Sequence, residues 1–129
     1  MLGRAGLSND LRDIRKASLE GDTRAGLAID VLVQQIRHWI GGFLVELNGC
    51  DALVFTGGIG ENNPWLRAAV CRDLDHLGIE LDSERNTNPF EPETDLSAKG
   101  SASRVYVIPA NEELVVARET RRLVGSLNN

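Results

Sequence analysis

The sequence predicts an α/β fold in which a central sheet is flanked by helices. Two short apolar runs, at 52–55 and 104–108, have the composition of buried strands. Each run is followed by a turn and an amphipathic helix, and a long helix precedes the first run. The order helix–strand–turn–helix, then strand–turn–helix, is typical of α/β proteins. Because the strands are unbroken apolar runs, we expect them to be buried on both faces, as in a parallel sheet.

The composition indicates a globular protein. The chain has 129 residues, and 14 Lys and Arg against 19 Asp and Glu give a net charge of −5. Its 42% hydrophobic and 26% charged residues suit one domain, or part of a larger one. The acidic balance argues against a nucleic-acid partner or an anionic membrane surface, since both favour a basic face.

The remaining class indicators point to the cytoplasm. No apolar run approaches the ~20 residues that would span a bilayer, and the N-terminus lacks the apolar core of a signal peptide. Cys50 and Cys71 match neither a disulfide framework nor a metal site. We expect both cysteines to be small buried hydrophobic residues in a reducing compartment.

The first third of the chain is predicted to be helical. Polar residues at 8–10 are expected to cap a short helix that runs from about Asp10 to Leu19. A long helix follows over Thr23–Leu47, and Gly41-Gly42 inside it predict close packing of the backbone against a neighbour. Its apolar stripe, which we expect to face the core, consists of Ala25, Ala28, Leu32, Ile36, Ile40, Phe43 and Leu47.

The region after the first strand predicts a second helix. Asn63 and Pro64 have the character of an N-cap and a first helical residue. The helix is expected to continue to Leu77 and to end at Gly78, with a brief strand at 79–81. Its apolar stripe is Leu66, Val70, Leu74 and Leu77.

The last part is predicted to contain a loop, a strand and a helix. Residues 83–103 are polar and include prolines and a glycine, which indicates a surface loop. After the strand at 104–108, Asn111 is expected to cap a final helix that runs to about Val124. Glu112, in the first turn of that helix, has by itself the ordinary role of an acid near the positive end of the helix dipole.

The glycine-rich segment 55–62, Phe-Thr-Gly-Gly-Ile-Gly-Glu-Asn, carries the clearest functional signal. Glycines between a buried strand and a helix let the backbone approach a ligand closely, and a phosphate or nucleotide is the natural guest. A tight turn without a ligand is the alternative. The segment is not a Walker A loop, because no Gly-Lys-Ser/Thr follows. It partly matches a Rossmann fingerprint, but Asn63 stands in place of the third glycine.

Segment 55–62 resembles the second signature of the acetate kinases, in the acetate/propionate kinase group. Three other blocks are similar to segments of the same family in the same order: 8–13, 77–82 and 107–114. Together the four blocks extend over nearly the whole chain. Ala110 is a departure, since the family commonly has Thr there.

The resemblance implies the fold and the reaction. Acetate kinases belong to the actin-like, sugar-kinase-like superfamily, with an RNase-H-like sheet in each of two lobes. They transfer a phosphoryl group reversibly between ATP and acetate, giving ADP and acetyl phosphate, with Mg²⁺. Full-length members pair through their second lobe, so the resemblance also implies a homodimer.

The resemblance also assigns residues. Glu112 would match the family's magnesium-associated glutamate. The segment near the N-terminus would border the adenine and ribose, and the glycine segment would form a second nucleotide-contacting turn. The residues assigned to nucleotide binding are Asp10, Leu11, Arg12, Gly57, Gly58, Ile59, Gly60, Glu61 and Asn62.

No catalytic residue is assigned, because in the family those groups come from a lobe that precedes this segment. We therefore expect residues 1–129 to be part of a C-terminal nucleotide-binding lobe, without the N-terminal catalytic lobe and inactive alone. His38 and His76 are expected to be ordinary helix residues, and Trp39 and Trp65 to serve packing. The strand at 52–55 or at 104–108 is expected to present an open edge.

The sequence alone leaves three other functions open. The chain could be a non-catalytic ATP-binding module, an inert remnant of a disrupted gene or, less in keeping with the motifs, a Rossmann-like dinucleotide binder. A separately encoded N-terminal lobe would favour a split enzyme.

Overall fold

The computed structural model describes residues 10–88, 94–110 and 112–127, with the backbone only for 112–117. The predictions for Ser8 and Asn9, and the cap predicted at Asn111, lie outside the described residues. The helices and strands are α1 Leu11–Leu19, α2 Thr23–Leu47, β1 Ala52–Phe55, α3 Gly57–Asn62, α4 Pro64–Val70, α5 Ser83–Thr87, β2 Thr94–Asp95, β3 Arg104–Val107 and α6 Glu112–Leu127.

In the part of the chain that the structure describes, the strands form one mixed sheet of three, in the order β1-β3-β2. β1 and β3 are parallel, with Ala52 opposite Arg104 and Phe55 opposite Val107. β2 pairs with β3 in the antiparallel direction. The predicted α/β class with a central sheet is confirmed, and the two strands predicted from the sequence are parallel to each other. The sheet is mixed because β2, which comes from a segment predicted to be a loop, adds an antiparallel strand.

In the described part of the chain, β1 lies at an edge of the sheet. The sequence predicts an open edge at either 52–55 or 104–108, and the first of these two alternatives is the one observed. The expectation that β1 is buried on both faces is wrong. Leu53 and Phe55 pack against the core, whereas Ala52 is exposed and Val54 keeps 45% of its surface exposed. An edge strand covered on one face has this alternation even when its sequence is wholly apolar.

In its described residues, 83–88 and 94–103, the segment predicted to be a surface loop is not one. It contains α5 and β2, and Leu96 between β2 and β3 is completely buried. The backbone N–H of Leu96 donates to the Val105 carbonyl at 2.7 Å, and the N–H of Asp82 donates to the Leu96 carbonyl at 2.8 Å. The predicted strand at 79–81 is reduced to a single bridge between Leu81 and Ser97.

Helices α1 and α2 pack against each other, and both begin at aspartate caps. Asp10 accepts a hydrogen bond from the N–H of Arg12, and Asp22 accepts from those of Arg24 and Ala25. Both helices have the predicted bounds to within a residue. The caps satisfy backbone donors that otherwise lack a partner in the first turn of a helix.

The predicted stripe of α2 is buried only in its first part. Ala25 and Ala28 are buried, but Phe43 and Leu47 are 58% and 68% exposed. Gly41 and Gly42 do not pack closely, since an added Cβ at either would meet nothing within 4 Å. Trp39 is 65% exposed and contacts Phe43, so its predicted packing role is also wrong for the described part of the chain. In that part, the face of α2 that carries Trp39, Phe43 and Leu47 is uncovered, whereas Leu44 packs against the core.

Helix α4 is shorter than predicted. It ends at Val70, and a turn with Asp73 in the left-handed region leads to a short 3-10 helix at Asp75–Leu77. Gly78 ends this segment with a φ of 82°, as the sequence predicts for a helix-terminating glycine. Among the described residues, no helix is long and apolar enough to cross a bilayer.

Candidate functional site

The segment predicted to be a glycine turn is partly helical. Thr56 is extended and precedes α3, and Gly57, the first residue of α3, has a φ of 78°. The turn is therefore confined to Thr56 and Gly57, because a left-handed φ is readily adopted only by glycine. Gly58 and Gly60 lie further along α3, close to the end of β1.

Two segments that are far apart in the sequence line one groove of about 380 Å³. We name it the α1–α3 groove. α1 lies close to the glycine segment because Leu11 packs in one buried cluster with Leu66 and Val70 of α4. The residues that line the α1–α3 groove are Asp10, Leu11, Arg12, Gly58, Ile59, Asn62 and Asn63.

Three of the predicted nucleotide-binding residues lie beside the α1–α3 groove without lining it. Gly57 forms the turn, and Gly60 is buried against Phe55, which an added Cβ would meet at 3.5 Å. Glu61 accepts a hydrogen bond through Oε2 from the backbone N–H of Ala110 at 3.4 Å. These residues shape α3 and connect it to the end of the sheet.

Asp10 and Arg12 form an ion pair at the mouth of the α1–α3 groove. Arg12 Nη2 lies 2.9 Å from Asp10 Oδ2, and Arg12 Nε donates to Oδ1 at 3.3 Å. The hydrogen bonds from Arg12 lower the pKa of Asp10, and the same pairing raises the pKa of Arg12. The Arg12 side chain is 85% exposed, so solvent screens the pair.

Glu112, the predicted magnesium ligand, begins α6, but its side chain lies outside the described residues. The backbone before it is held near α3. The N–H of Ile108 donates to the Phe55 carbonyl at 2.9 Å, and Ala110 is bonded to Glu61. Among the described residues, no group of three or more His, Cys, Asp or Glu could hold a metal ion.

Two residues around α3, Arg67 and Asn86, were not identified from the sequence, and a third, Asn63, has a role other than the predicted one. Asn63 is at the N-cap position of α4 but its side chain makes no cap hydrogen bond. Asn63 donates from Nδ2 to the Ile59 carbonyl at 2.8 Å and accepts from Trp65 Nε1 at 3.1 Å. Arg67 is completely buried, and Asn86 accepts from it. An arginine inside an amphipathic helix and an asparagine in a polar segment carry no pattern that distinguishes them from solvated residues.

The other residues singled out in the sequence have ordinary structural surroundings. His38 and His76 are exposed on helices, as predicted. Cys71 is buried, which raises the pKa of its thiol to about 12, and Cys50 is half-buried. Trp65 is half-buried and carries the Arg15 guanidinium 4.5 Å from its ring centroid.

Comparison with known proteins decides the family. Residues 1–118 match the model of the acetokinase family. The chain belongs to the acetokinase family. Acetate kinase from Moorella thermoacetica is 48% identical over 124 residues, which are 96% of this chain and 31% of the relative. Acetate kinase from Heliobacterium modesticaldum is 44% identical over 124 residues, which are again 96% of this chain and 31% of the relative.

Solved acetokinase structures have the same arrangement. Acetate kinase from Porphyromonas gingivalis superimposes with a TM-score of 0.87 at 37% identity, over 95% of this chain and 31% of that one. A propionate kinase from Francisella tularensis superimposes with a TM-score of 0.80 at 37% identity, over 92% and 29%. The chain thus spans about a third of its relatives' length, and its fold matches that part of them.

Proposed function

We propose that this chain is the nucleotide-binding part of an acetate kinase, which transfers a phosphoryl group between ATP and acetate and produces ADP and acetyl phosphate. The observation that carries the proposal is the α1–α3 groove. It gathers Asp10, Leu11 and Arg12 with Gly58 and further residues of the glycine segment. Both segments are among those that the family resemblance assigns to nucleotide binding.

The lining of the α1–α3 groove suits a nucleoside. Ile59 is 48% exposed and offers an apolar surface for a base, next to Leu11. Asp10 and Arg12 supply an acceptor and donors for ribose hydroxyls. Gly58 leaves open space where another residue would have a Cβ, so a ligand can approach the backbone there.

Magnesium fits this proposal through Glu112. Mg²⁺ prefers oxygen ligands and is commonly held by one or two carboxylates together with substrate phosphates. Bound Mg²⁺ would neutralise charge on the nucleotide phosphates. The backbone contacts of Ile108 with Phe55 and of Ala110 with Glu61 support a position for the start of α6 beside α3.

We further propose that residues 1–129 form part of the C-terminal, RNase-H-like lobe of a cytoplasmic enzyme. Phosphoryl transfer to a carboxylate needs cations around the moving group and a pocket for acetate. In the resemblance these groups belong to a preceding lobe, so this chain alone should bind nucleotide without turnover. A separately encoded N-terminal lobe would then complete the site.

Besides association with a separately encoded N-terminal lobe, we propose that the chain forms a homodimer. One ridge of α2 lies exposed in the described part of the chain and is mostly apolar; we name it the α2 ridge. Such a surface is typical of contact sites between chains. The α2 ridge consists of Leu27, Val31, Gln35, Trp39, Phe43 and Leu47.

Titration calorimetry with Mg-ATP tests the nucleotide site. The purified chain should bind Mg-ATP, and Gly58→Leu should weaken binding at least about tenfold, because its side chain would occupy the α1–α3 groove. Gly41→Leu is the matched control. Position 41 also has open space around an added Cβ, but it lies on α2 away from the groove. Absence of heat at millimolar Mg-ATP, or equal affinity of the two variants, would contradict the proposal.

Two further measurements separate the other functions. No acetyl phosphate should form from acetate and Mg-ATP, since formation would show that the chain is a complete catalyst. NADH fluorescence should not change on mixing, whereas a change would favour a dinucleotide site. A collapsed near-UV circular dichroism signal with dye-binding apolar surface would favour an inert remnant.

A further inference from the structure

Arg67 in α4 is completely buried, and its hydrogen bonds go to amide and carbonyl oxygens. Nη1 donates to the Gly60 carbonyl at 2.7 Å and to the Glu61 carbonyl at 3.0 Å. Nε donates to Asn86 Oδ1 at 2.8 Å and Nη2 to the Asn86 carbonyl at 2.7 Å. Burial lowers the pKa of Arg67, as expected for a cation removed from water.

The carbonyls of Gly60 and Glu61 lie at the C-terminal end of α3. Carbonyls in the last turn of a helix lack partners within the helix and carry its partial negative charge. α3 has only 6 residues, half of them glycine, so its own tendency to form a helix is low. The guanidinium of Arg67 therefore supplies donors that α3 needs in order to keep its end in place.

The guanidinium also connects α3 to two neighbouring helices. Arg67 belongs to α4, and Asn86 belongs to α5 and donates from Nδ2 to the Pro64 carbonyl at 3.0 Å. The same planar group thus fixes the end of α3 against both helices. A lysine ammonium cannot form this fork, because it is a single point of charge.

The part of α3 that Arg67 holds is continuous with the α1–α3 groove. Asn62 and Asn63, directly after the two bonded carbonyls, line the groove, whereas Arg67 itself does not. Asn63 in turn bonds to Ile59, which lies on the same wall. A displacement of the end of α3 would move these lining residues relative to Asp10 and Leu11.

We propose that Arg67 is a positioning residue for nucleotide binding, acting through the carbonyls of Gly60 and Glu61. The inference rests on the proposed function of the α1–α3 groove. Removal of the guanidinium should loosen α3 and weaken Mg-ATP binding without contact between Arg67 and the nucleotide.

The chain offers a matched control in Arg37. Its Nη1 donates to the carbonyls of Val70 and Arg72, both at 2.7 Å, at and just after the C-terminal end of α4. Arg37→Met therefore also removes a guanidinium from backbone carbonyls, but away from α3. Arg67→Lys is the conservative variant, which keeps the charge without the fork.

Two readouts are compared in Arg67→Met, Arg67→Lys and Arg37→Met. Hydrogen exchange of the ligand-free chain should be at least about tenfold faster at the amides of 60–63 in Arg67→Met, because charge-assisted hydrogen bonds are lost. The amides of Leu96 and Val105 report whether the core is intact. Mg-ATP affinity should fall about tenfold or more in Arg67→Met, recover partly in Arg67→Lys and stay unchanged in Arg37→Met.

Equal exchange at 60–63 and equal affinity in the two methionine variants would overturn the inference. If Arg67→Met also loses protection at Leu96 and Val105, the core of that variant is loosened, and the affinity of Arg67→Lys is compared with it instead. An affinity of Arg67→Lys for Mg-ATP that is as low as that of the loosened Arg67→Met chain would contradict positioning. If the unsubstituted chain does not bind Mg-ATP, the proposed function fails, and exchange at 60–63 alone decides whether Arg67 holds α3.

Discussion

Asp10 shows how one side chain serves the fold and the candidate site together. Its Oδ1 caps α1 by accepting from the N–H of Arg12 at 2.9 Å, and its carboxylate pairs with the Arg12 side chain. Asp10 also lines the α1–α3 groove. The polar character of the segment predicted the cap, and only the family resemblance suggested a ligand role.

The Asp10 carboxyl should titrate below its ordinary pKa of 3.8, because the hydrogen bonds from Arg12 favour the charged form. A lowered folded-state pKa stabilises the fold above the unfolded-state pKa. This contribution is lost as the pH falls through the folded-state pKa. NMR titration of the carboxyl carbon measures the midpoint.

Arg12→Gln is the control for this titration. The midpoint of Asp10 should rise in this variant, because the charged guanidinium and its hydrogen bonds to the carboxylate are removed. A midpoint that is the same in both chains would show that Arg12 does not set the pKa of Asp10.

Arg67 illustrates what sequence patterns leave out at the scale of single residues. It is adjacent to Leu66 and carries no feature that distinguishes it from the exposed arginines of the chain. Its burial depends on oxygens supplied by α3 and α5, which lie at sequence distances of 6, 7 and 19 residues. Contacts of this kind follow from packing and not from local propensity.

At the scale of elements, patterns that continue over many residues were predictable. The bounds of α2 and β1 match the prediction. An aspartate cap precedes α2 and an Asn-Gly pair follows it, and a polar residue stands on each side of β1. The end of α4 was missed because Asp73 adopts a left-handed φ of 55°, which the sequence does not indicate. The apolar spacing continues through this break.

The prediction of a loop at 83–103 is wrong because several polar residues in the described parts of this segment are buried with hydrogen-bond partners. Ser97 Oγ accepts from the Val105 N–H at 2.6 Å, and Ser101 Oγ donates to the Ser103 carbonyl at 2.6 Å. Serines bonded to backbone can be buried at little cost. A composition rich in serine and charged residues therefore does not reveal that this segment contains β2, the third strand of the described sheet.

Leu96→Ala tests the revised role of this segment. Leu96 is completely buried in the cluster that includes Ile79 and Val105. The free energy of unfolding should fall by about 2–5 kcal/mol, which is the usual cost of a cavity at a buried leucine. Urea denaturation measures the change.

Leu77→Ala is the matched control, because Leu77 is 58% exposed. Its effect should stay within about 0.5 kcal/mol. Equal losses in the two variants would contradict the placement of Leu96 in the core.

At the scale of the whole molecule, the chain matches about a third of the length of its acetokinase relatives. The family and the α/β class were predictable because short motifs and the order of elements are preserved over the part of the relatives that the chain matches. The one-sided cover of β1 was not predictable from its apolar sequence, because burial depends on which other segments are present.

The candidate site was predictable in part for the same reason. The motifs indicate which residues are candidates for nucleotide binding. The number of residues between Asp10 and Gly58 in the sequence does not predict how far apart they lie in the structure. The packing of Leu11 with Leu66 and Val70 brings the two segments together. The central claim is that the groove formed in this way receives one nucleotide.

The most direct test of this claim is an amide NMR titration of the chain with Mg-ATP. Amides of Leu11, Arg12, Gly58, Ile59 and Asn62 should shift together along one saturating binding curve, because both walls of the α1–α3 groove contact the same ligand. Amides of the α2 ridge serve as the internal reference and should stay in place. Shifts confined to one wall, or no saturating shifts at millimolar Mg-ATP, would contradict the account.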